Sequence, residues 1–170
     1  MPRKPIINKQ GHGRQFAALP YARQDGETVV MLVTSRETGR WVLPKGWAEK
    51  HLNGPRQAAK EAFEEAGVLG DIQRTSVGSY NYLKQLPNNR RLECEVTVFP
   101  LHVHKLLSDW PERKQRERRW FTLSQAAETV AEPELITLLL RLSTTRRFTS
   151  SPEAYTPRPP KHPKRTLQVA

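Results

Sequence analysis

The stretch Lys60-Glu61-Ala62-Phe63-Glu64-Glu65-Ala66-Gly67 carries more information than any other part of the chain. It predicts the end of a helix over residues 55–66, because Pro55 suits a first helical position and Gly67 suits the position just after a helix. At ~100° per residue, the three glutamates fall within one arc of the helix surface, and the alanines and Phe63 fall within another. The helix therefore has an apolar face that can pack on a sheet and a second face that presents three carboxylates.

Two interpretations of the three carboxylates remain open from the residues alone. Like charges three and four residues apart repel each other on a helix, and a fully solvated acidic face is one way to tolerate this. The other is a hard divalent cation, Mg²⁺ or Mn²⁺, held by carboxylate oxygens. The preceding segment Leu43-Pro44-Lys45-Gly46 favours the cation, because a strand that ends in glycine lets a phosphate or a metal approach the backbone closely.

From Gly46 to Val68 the chain resembles the signature of the Nudix hydrolases, G-x5-E-x7-R-E-U-x-E-E-x-G-U, in which U is aliphatic. The spacing from Gly46 to Glu61 and on to Val68 matches without a gap. Two positions depart from the pattern, since Leu52 replaces the first Glu and Lys60 replaces the Arg. If these two positions normally pair, the two changes are coupled. Glu49, three residues before Leu52, offers another carboxylate from the same loop.

The resemblance implies an α/β protein, specifically a Nudix-type α/β/α sandwich with a mixed β-sheet. It also implies a magnesium cofactor, with Mn²⁺ as a substitute, bound by Glu61, Glu65 and the carbonyl of Gly46. Glu64 is a further ligand or orients the attacking water. The bound ion neutralises phosphate oxygens and activates a water, and one carboxylate accepts the proton as general base. Glu61 is the first candidate for that catalytic base and Glu64 is the second.

Another carboxylate often joins such a site from outside the motif, and Glu117, in Arg116-Glu117-Arg118-Arg119-Trp120, is the candidate here. The alternative is that Glu117 is a solvated residue of a charged loop. The cations around it, Lys114 included, either line the same cavity or are solvated.

Three short segments are similar to the diphosphoinositol polyphosphate and dinucleoside polyphosphate phosphohydrolases within the family. These segments begin at Gly13, Leu32 and Gly39. The similarity implies that a set of polar and cationic side chains contacts substrate phosphates, namely Arg14, Ser35, Arg36, Arg40 and Lys45. Several cationic donors around a metal site select highly phosphorylated ligands. Each of these residues taken alone is equally compatible with ordinary surface charge.

Hydrophobic patterning and turn residues predict the remaining elements. Strands are expected over residues 15–22, 28–34, 41–44, 76–83, 94–104 and 120–123, and further helices over 124–130 and 133–141. Strands and helices mix without a regular βαβ alternation, which favours a mixed sheet.

The net charge of +11 lies mostly at the two ends of the chain. Residues 1–14 carry four basic residues and no acid, and residues 142–170 carry six basic residues and one acid. We interpret 1–12 as a flexible basic arm, 13–147 as the Nudix hydrolase domain, and 148–170 as a proline-rich basic tail. Such tails are either solvated or attract polyanions.

The composition also sets expectations about compartment and partners. A single cysteine, Cys94, fits a reducing compartment, and no apolar run approaches the ~20 residues of a membrane span, so we expect a soluble cytoplasmic protein. The expected partner is a polyphosphorylated small molecule, with no membrane, with nucleic acid possible but not favoured, and with no prediction of oligomeric state. The alternatives to this function are a pyrophosphohydrolase of RNA 5′ ends and a non-catalytic sensor of phosphorylated ligands.

Overall fold

A computed structural model describes residues 3–145 and Phe148. Within these residues the chain forms eight strands and three helices. They are β1 (Gly13–Gln24), β2 (Glu27–Thr34), β3 (Trp41–Val42), β4 (Lys45–Trp47), α1 (Gly54–Ala66), β5 (Val68–Ile72), β6 (Gly78–Gln85), β7 (Arg91–Leu106), β8 (Arg118–Thr122), α2 (Leu123–Thr129) and α3 (Pro133–Ser143).

The strands form one mixed sheet, as the sequence predicts. Its centre is the parallel pair β1 and β7, which run side by side from Gly13↔Cys94 to Tyr21↔His102. The other strand pairs are antiparallel in the part of the chain that is described. The sheet therefore combines one buried parallel seam with antiparallel flanks, which is the arrangement expected of the predicted fold class.

The edge of β1 that does not pair with β7 is shared between β2 and β4, and this division creates the site described below. The end of β1 pairs with β2, whereas its beginning pairs with β4 from Gln15↔Trp47 to Ala17↔Lys45. Gly46 is thereby fixed opposite Phe16, on the face of the sheet that packs against α1.

Helix α1 forms where its sequence predicts and lies on that face. Asn53 caps its first turn, with the side-chain oxygen accepting a hydrogen bond from the backbone N–H of Arg56 at 2.9 Å. Gly67 ends the helix in the left-handed region at φ 62°, where glycine is free of strain. Ala58, Ala62 and Ala66 are buried against the sheet. Their small side chains bring the helix backbone, and with it the carboxylates, close to β4.

The opposite face of the sheet is covered by α2 and α3, which completes the predicted α/β/α sandwich. Leu135, Leu138, Leu139 and Leu142 of α3 pack there on the inward side chains of the central strands. None of the helices in the described part of the chain is long and apolar enough to cross a membrane.

The structure differs from the sequence interpretation at the start of the predicted tail. Phe148, its first residue, is buried, with its ring 4.8 Å from that of Tyr21 and its carbonyl accepting a hydrogen bond from Thr28 Oγ1 at 2.6 Å. The folded unit therefore includes Phe148, because an aromatic ring there completes the apolar layer under α3. The rest of the predicted tail, residues 149–170, lies outside the described residues.

The predicted N-terminal arm makes defined contacts from residue 3 onward. The side-chain oxygen of Asn8 accepts hydrogen bonds from the backbone of Gln10 and His12, both at 2.9 Å, and Ile7 bridges to Gly13. Residues 6–13 therefore form a tight reverse turn ahead of β1. Strand β5 was not predicted from the sequence, because its run from Val68 to Ile72 contains Gly70 and Asp71, which are poor strand formers.

Candidate active site

The three carboxylates of α1 face a cavity at the end of the sheet, but they differ in burial. Glu61 and Glu65 are almost completely buried, whereas Glu64 is half-buried at the rim. The helical spacing predicted from the sequence is thus correct in placing all three on one face. A buried carboxylate is stable only when hydrogen bonds or cations compensate for lost hydration, so the partners of each are decisive.

Gly46 lies directly against the carboxylate of Glu61. A Cβ atom at Gly46 would stand 2.1 Å from Oε1 and 2.3 Å from Cδ of Glu61, so only glycine fits this position. The neighbouring backbone N–H of Lys45 points to Oε2 of Glu65 at 3.4 Å. The strand end and the helix carboxylates that the sequence links by spacing therefore form one surface.

Glu61 is held by a glutamine that the sequence interpretation missed. Nε2 of Gln57 donates to Oε1 of Glu61 at 2.7 Å, and Gln57 is fully buried, with its own Oε1 lacking a hydrogen-bond partner. Burial, followed by the nearby charge of Glu64, raises the pKa of Glu61 above its ordinary value. Gln57 precedes Glu61 by one helical turn, and this spacing is the signal that could have identified it.

Glu65 is paired with a buried arginine from the loop before β8. Nη2 of Arg116 donates to Oε1 of Glu65 at 3.1 Å, and Nη1 of Arg116 donates to the carbonyl of Thr34 at 3.0 Å. Burial raises the pKa of Glu65, while the positive charges of Arg116 and Lys45 act in the opposite direction. Arg116 therefore belongs to the cavity, whereas the sequence left open whether its cationic cluster was solvated.

The two departures from the Nudix signature are compensated by Glu49. Nζ of Lys60 donates to Oε1 of Glu49 at 3.1 Å, while Leu52 makes no charged contact. This pair also lowers the pKa of Glu49, with the Lys60 hydrogen bond as the main cause. Glu49, three positions before Leu52, is therefore the loop acid that pairs with Lys60.

Arg3, from the segment before β1, reaches the same carboxylates. Its Nη1 atom lies 2.8 Å from Oε1 of Glu49 and 3.1 Å from Oε1 of Glu61, and its Nη2 atom lies 3.9 Å from Oε2 of Glu64. The guanidinium thus places a positive charge among three carboxylates. Sequence analysis placed Arg3 only within a flexible basic arm, and nothing local in the sequence indicates this contact.

The cavity has a volume of about 560 Å³ and contains most of the predicted phosphate-binding residues. Ser35, Arg36 and Lys45 line it, together with Gly46 and the three glutamates. Arg14 and Arg40 are outside the lining. Arg14 is exposed over the ring of Phe16, and Nη2 of Arg40 lies 3.9 Å from Oε1 of Glu132.

Glu117, predicted as an additional carboxylate, is exposed and lies outside the residues that line the cavity. Its backbone N–H donates to Thr34 Oγ1 at 2.9 Å. Glu112 lines the cavity instead, with its Oε1 atom 3.2 Å from Nη2 of Arg116. The loop after β7 turns back on itself, and this turn cannot be inferred from sequence spacing.

The cavity continues past Gly46 onto the other face of the sheet, where two lysines lie on aromatic rings. Nζ of Lys45 lies 5.3 Å from the ring centre of Tyr82, and Nζ of Lys84 lies 5.8 Å from that of Trp47. Burial lowers the pKa of Lys45, with Glu65 as the main opposing influence. Lys84 and Trp47 were missed in the sequence analysis, because their positions on β6 and β4 are adjacent only in the folded sheet.

The end of α1 is fixed by Arg118. Its guanidinium donates to the carbonyl of Ala66 at 2.7 Å and to that of Leu107 at 2.7 Å, and it stacks 3.9 Å from the ring centre of Trp110. Trp110 in turn donates its ring N–H to the carbonyl of Glu65 at 3.2 Å. A cation at a helix C-terminus is stabilising, so this contact secures the turn that carries Glu64 and Glu65.

The donor set fits a divalent cation. Carboxylate oxygens beside a glycine strand end are hard ligands, and the positive group of Arg3 already occupies the space between Glu49, Glu61 and Glu64. Across the described residues no group of three acidic, histidine or cysteine side chains converges closely enough to hold a metal ion as it stands.

Comparison with known proteins agrees with the observed fold. A family model described as the NUDIX domain matches residues 11–142. This chain belongs to the Nudix family. The match covers every element from β1 to α3 except the final residue of α3, and it leaves Arg3 outside the family segment.

Several curated Nudix proteins are similar in sequence. Nudix hydrolase 12, mitochondrial, of Arabidopsis thaliana is 36% identical over 102 residues, covering 58% of this chain and 50% of that protein. Mouse diphosphoinositol polyphosphate phosphohydrolase 3-alpha is 28% identical over 123 residues, covering 71% of each chain. The chain spans between 50% and 63% of the length of the first four curated Nudix relatives.

Solved Nudix structures show the same fold. The crystal structure of the Caenorhabditis elegans Ap4A hydrolase aligns with a TM-score of 0.55 at 16% identity, covering 76% of this chain and 95% of that one. A NUDIX hydrolase from Nitrosomonas europaea aligns with a TM-score of 0.57 at 20% identity, covering 89% of this chain and 85% of that one. At these identities the likeness establishes the architecture.

Proposed function

We propose that this Nudix protein is a magnesium-dependent hydrolase that cleaves a phosphoanhydride bond in a highly phosphorylated small molecule. The observation that carries the proposal is the juxtaposition of Glu61, Glu64 and Glu65 with Gly46 at one end of a cavity that also contains Arg36 and Lys45. Carboxylates that can hold a cation stand beside cationic side chains that can bind phosphates. This pairing of opposite charges suits a polyphosphate substrate better than a neutral one.

The contacts indicate the role of each residue in the cavity. Glu61, Glu64, Glu65 and the carbonyl of Gly46 would hold Mg²⁺, which supplies charge neutralisation and a more acidic water when bound there. Gln57 orients Glu61 from within the helix, and Arg116 orients Glu65 from the loop. Glu61 is the first candidate for general base, because it is held by Gln57 directly beside Gly46 in the cavity. Half-buried Glu64 is the second.

The substrate class is a diphosphoinositol polyphosphate or a dinucleoside polyphosphate. Support comes from the polar and cationic side chains that line the cavity, which include Ser35, Arg36 and Lys84. Further support comes from similarity to the mouse diphosphoinositol polyphosphate phosphohydrolase. Each cation alone binds a phosphate weakly in water, but several in one cavity select ligands with many phosphates.

The test is a substrate panel with purified protein and Mg²⁺, comprising diadenosine polyphosphates, a diphosphoinositol polyphosphate and a triphosphorylated RNA. We expect turnover of at least one of the small molecules, and loss of that turnover by about 100-fold or more in Glu61→Gln, since a general base contributes about that factor. Glu117→Gln is the matched control, because it removes the same charge outside the cavity and is expected to retain activity.

Two outcomes would replace the proposal. Exclusive turnover of RNA, with affinity falling steeply as salt rises, would indicate an RNA 5′-end pyrophosphohydrolase, for which the basic residues 1–14 provide a rationale. Binding of a phosphorylated ligand without turnover of any panel member would indicate a sensor.

A further inference from the structure

Arg3 is the basic residue of the N-terminal segment that enters the carboxylate cluster. It forms one close ion pair with Glu49, at 2.8 Å, one with Glu61, at 3.1 Å, and a longer one with Glu64, at 3.9 Å. The side chain of Glu61 is only 5% exposed, so a charged hydrogen bond to it is protected from solvent. Lys4, the adjacent basic residue, is exposed and has no ion pair among the described contacts.

The segment that carries Arg3 is anchored immediately after it. The backbone N–H of Arg14 donates to the carbonyl of Ile6 at 2.8 Å, and Ile6 packs against the apolar cluster beneath α1. The reverse turn capped by Asn8 keeps the chain before β1 folded back against the start of that strand. Arg3 lies three positions before Ile6, which is about 10 Å of extended chain, so Arg3 can leave the carboxylates without any change in the anchor.

We propose that Arg3 is an exchangeable counter-ion of the metal site: it holds Glu49, Glu61 and Glu64 together while no metal is bound, and a divalent cation displaces it. This inference rests on the metal site in the proposed function. Arg3 is therefore a positioning residue, and it acts through the carboxylates rather than on the substrate.

The contacts of Arg3 and the binding of a metal at the same carboxylates are thermodynamically linked. Two like charges at one site are mutually exclusive, so any contact that stabilises the metal-free carboxylates lowers the apparent affinity for a metal. Arg3 provides such contacts, and without them Glu61 and Glu64 repel each other in the metal-free protein. Removing Arg3 therefore raises metal affinity. The side chain of Arg3 is 42% exposed, so solvent screening reduces the effect, and we expect an increase of about 3- to 10-fold.

The experiment measures Mg²⁺ and Mn²⁺ binding by calorimetry, without substrate, for wild type, Arg3→Gln, Arg3→Lys and Lys4→Gln. Lys4→Gln is the matched control, because it removes the same charge from the neighbouring position. We expect tighter binding in Arg3→Gln, little change in Lys4→Gln, and an intermediate value in Arg3→Lys, which keeps the charge but loses the planar fork. The difference between wild type and Arg3→Gln should shrink as salt is raised.

A second readout follows Arg3 itself. The guanidinium Nε–H resonance of Arg3, assigned by its loss in Arg3→Lys, should shift toward that of a solvated arginine as Mg²⁺ is added. Equal metal affinity in wild type and Arg3→Gln would overturn the inference, and so would an equal gain in Lys4→Gln, which would show only a general charge effect. If wild type binds no metal and Glu61→Gln changes nothing, the metal site and with it the proposed function fail, which is a distinguishable result.

Discussion

Substitution of Gly46 by alanine tests the central geometry of the site most directly. The added Cβ would lie 2.1 Å from Oε1 of Glu61, and ordinary contact begins near 3.4 Å, so the carboxylate has to retreat by about 1.3 Å. The strand cannot yield instead, because Gly46 is paired with Phe16 in the sheet. Moving a catalytic group by roughly 1 Å costs on the order of 100-fold in rate. We therefore expect Gly46→Ala to lose about that factor in kcat and to bind Mg²⁺ more weakly.

The loss should be specific to the site rather than to folding. Overpacking at a partly buried position destabilises by about 1–3 kcal/mol, which leaves a domain of this size folded. Gly39→Ala is the control, since Gly39 has a positive φ of 68° but no atom within 4 Å of an added Cβ. It should lose about 1 kcal/mol through backbone strain and keep its activity.

A double substitution sharpens the test. Glu61→Asp shortens the clashing side chain by one methylene, so the free energy of unfolding of the Gly46→Ala/Glu61→Asp protein should be higher than additivity of the single changes predicts. Unfolding by denaturant and steady-state rates supply the two measurements. Near-normal kcat and Mg²⁺ affinity in Gly46→Ala would refute the assignment of this strand end and Glu61 to one reaction centre.

Two further predictions concern stability. Arg116→Gln removes the cation beside buried Glu65, whose side chain is 9% exposed, and should lower the free energy of unfolding at neutral pH by about 3 kcal/mol, whereas Arg113→Gln, at a 57% exposed side chain, should change it little. Equal effects in denaturant titrations would contradict the buried pair. Phe148→Ala removes a buried ring and should cost about 3 kcal/mol, while Phe63→Ala, at a residue that is 38% exposed, should cost much less. A Phe148→Ala protein that melts like wild type would show that this ring is not part of the core.

The chemistry of the helix could be predicted from the sequence because it is local. Pro55 and Gly67 mark the ends of α1, the alanines mark its buried face, and the remaining arc carries the glutamates, all within one continuous run of residues. A helical period converts positions in sequence directly into positions on a surface. Gly46, which precedes this helix, could be assigned to the same site through the spacing of the family motif.

Residues that come from other parts of the chain were predicted less well. Glu117 was predicted from its Arg-rich run, whereas in the structure Glu112 is the carboxylate beside Arg116 and Glu117 is exposed. Arg14 and Arg40 have suitable chemistry at positions that the sheet places outside the cavity. Residue type alone does not determine direction, because each loop conformation depends on what it packs against.

By itself the sequence determined the fold class, the acidic face of α1 and its relation to Gly46, since these depend on periodicity and short-range spacing. Tertiary structure alone decided which cations meet those carboxylates: Arg3 lies 58 residues from Glu61, and Arg116 lies 51 residues from Glu65. Such pairs form because burial makes an uncompensated carboxylate costly, and the nearest available cation in space compensates it, wherever it stands in the chain.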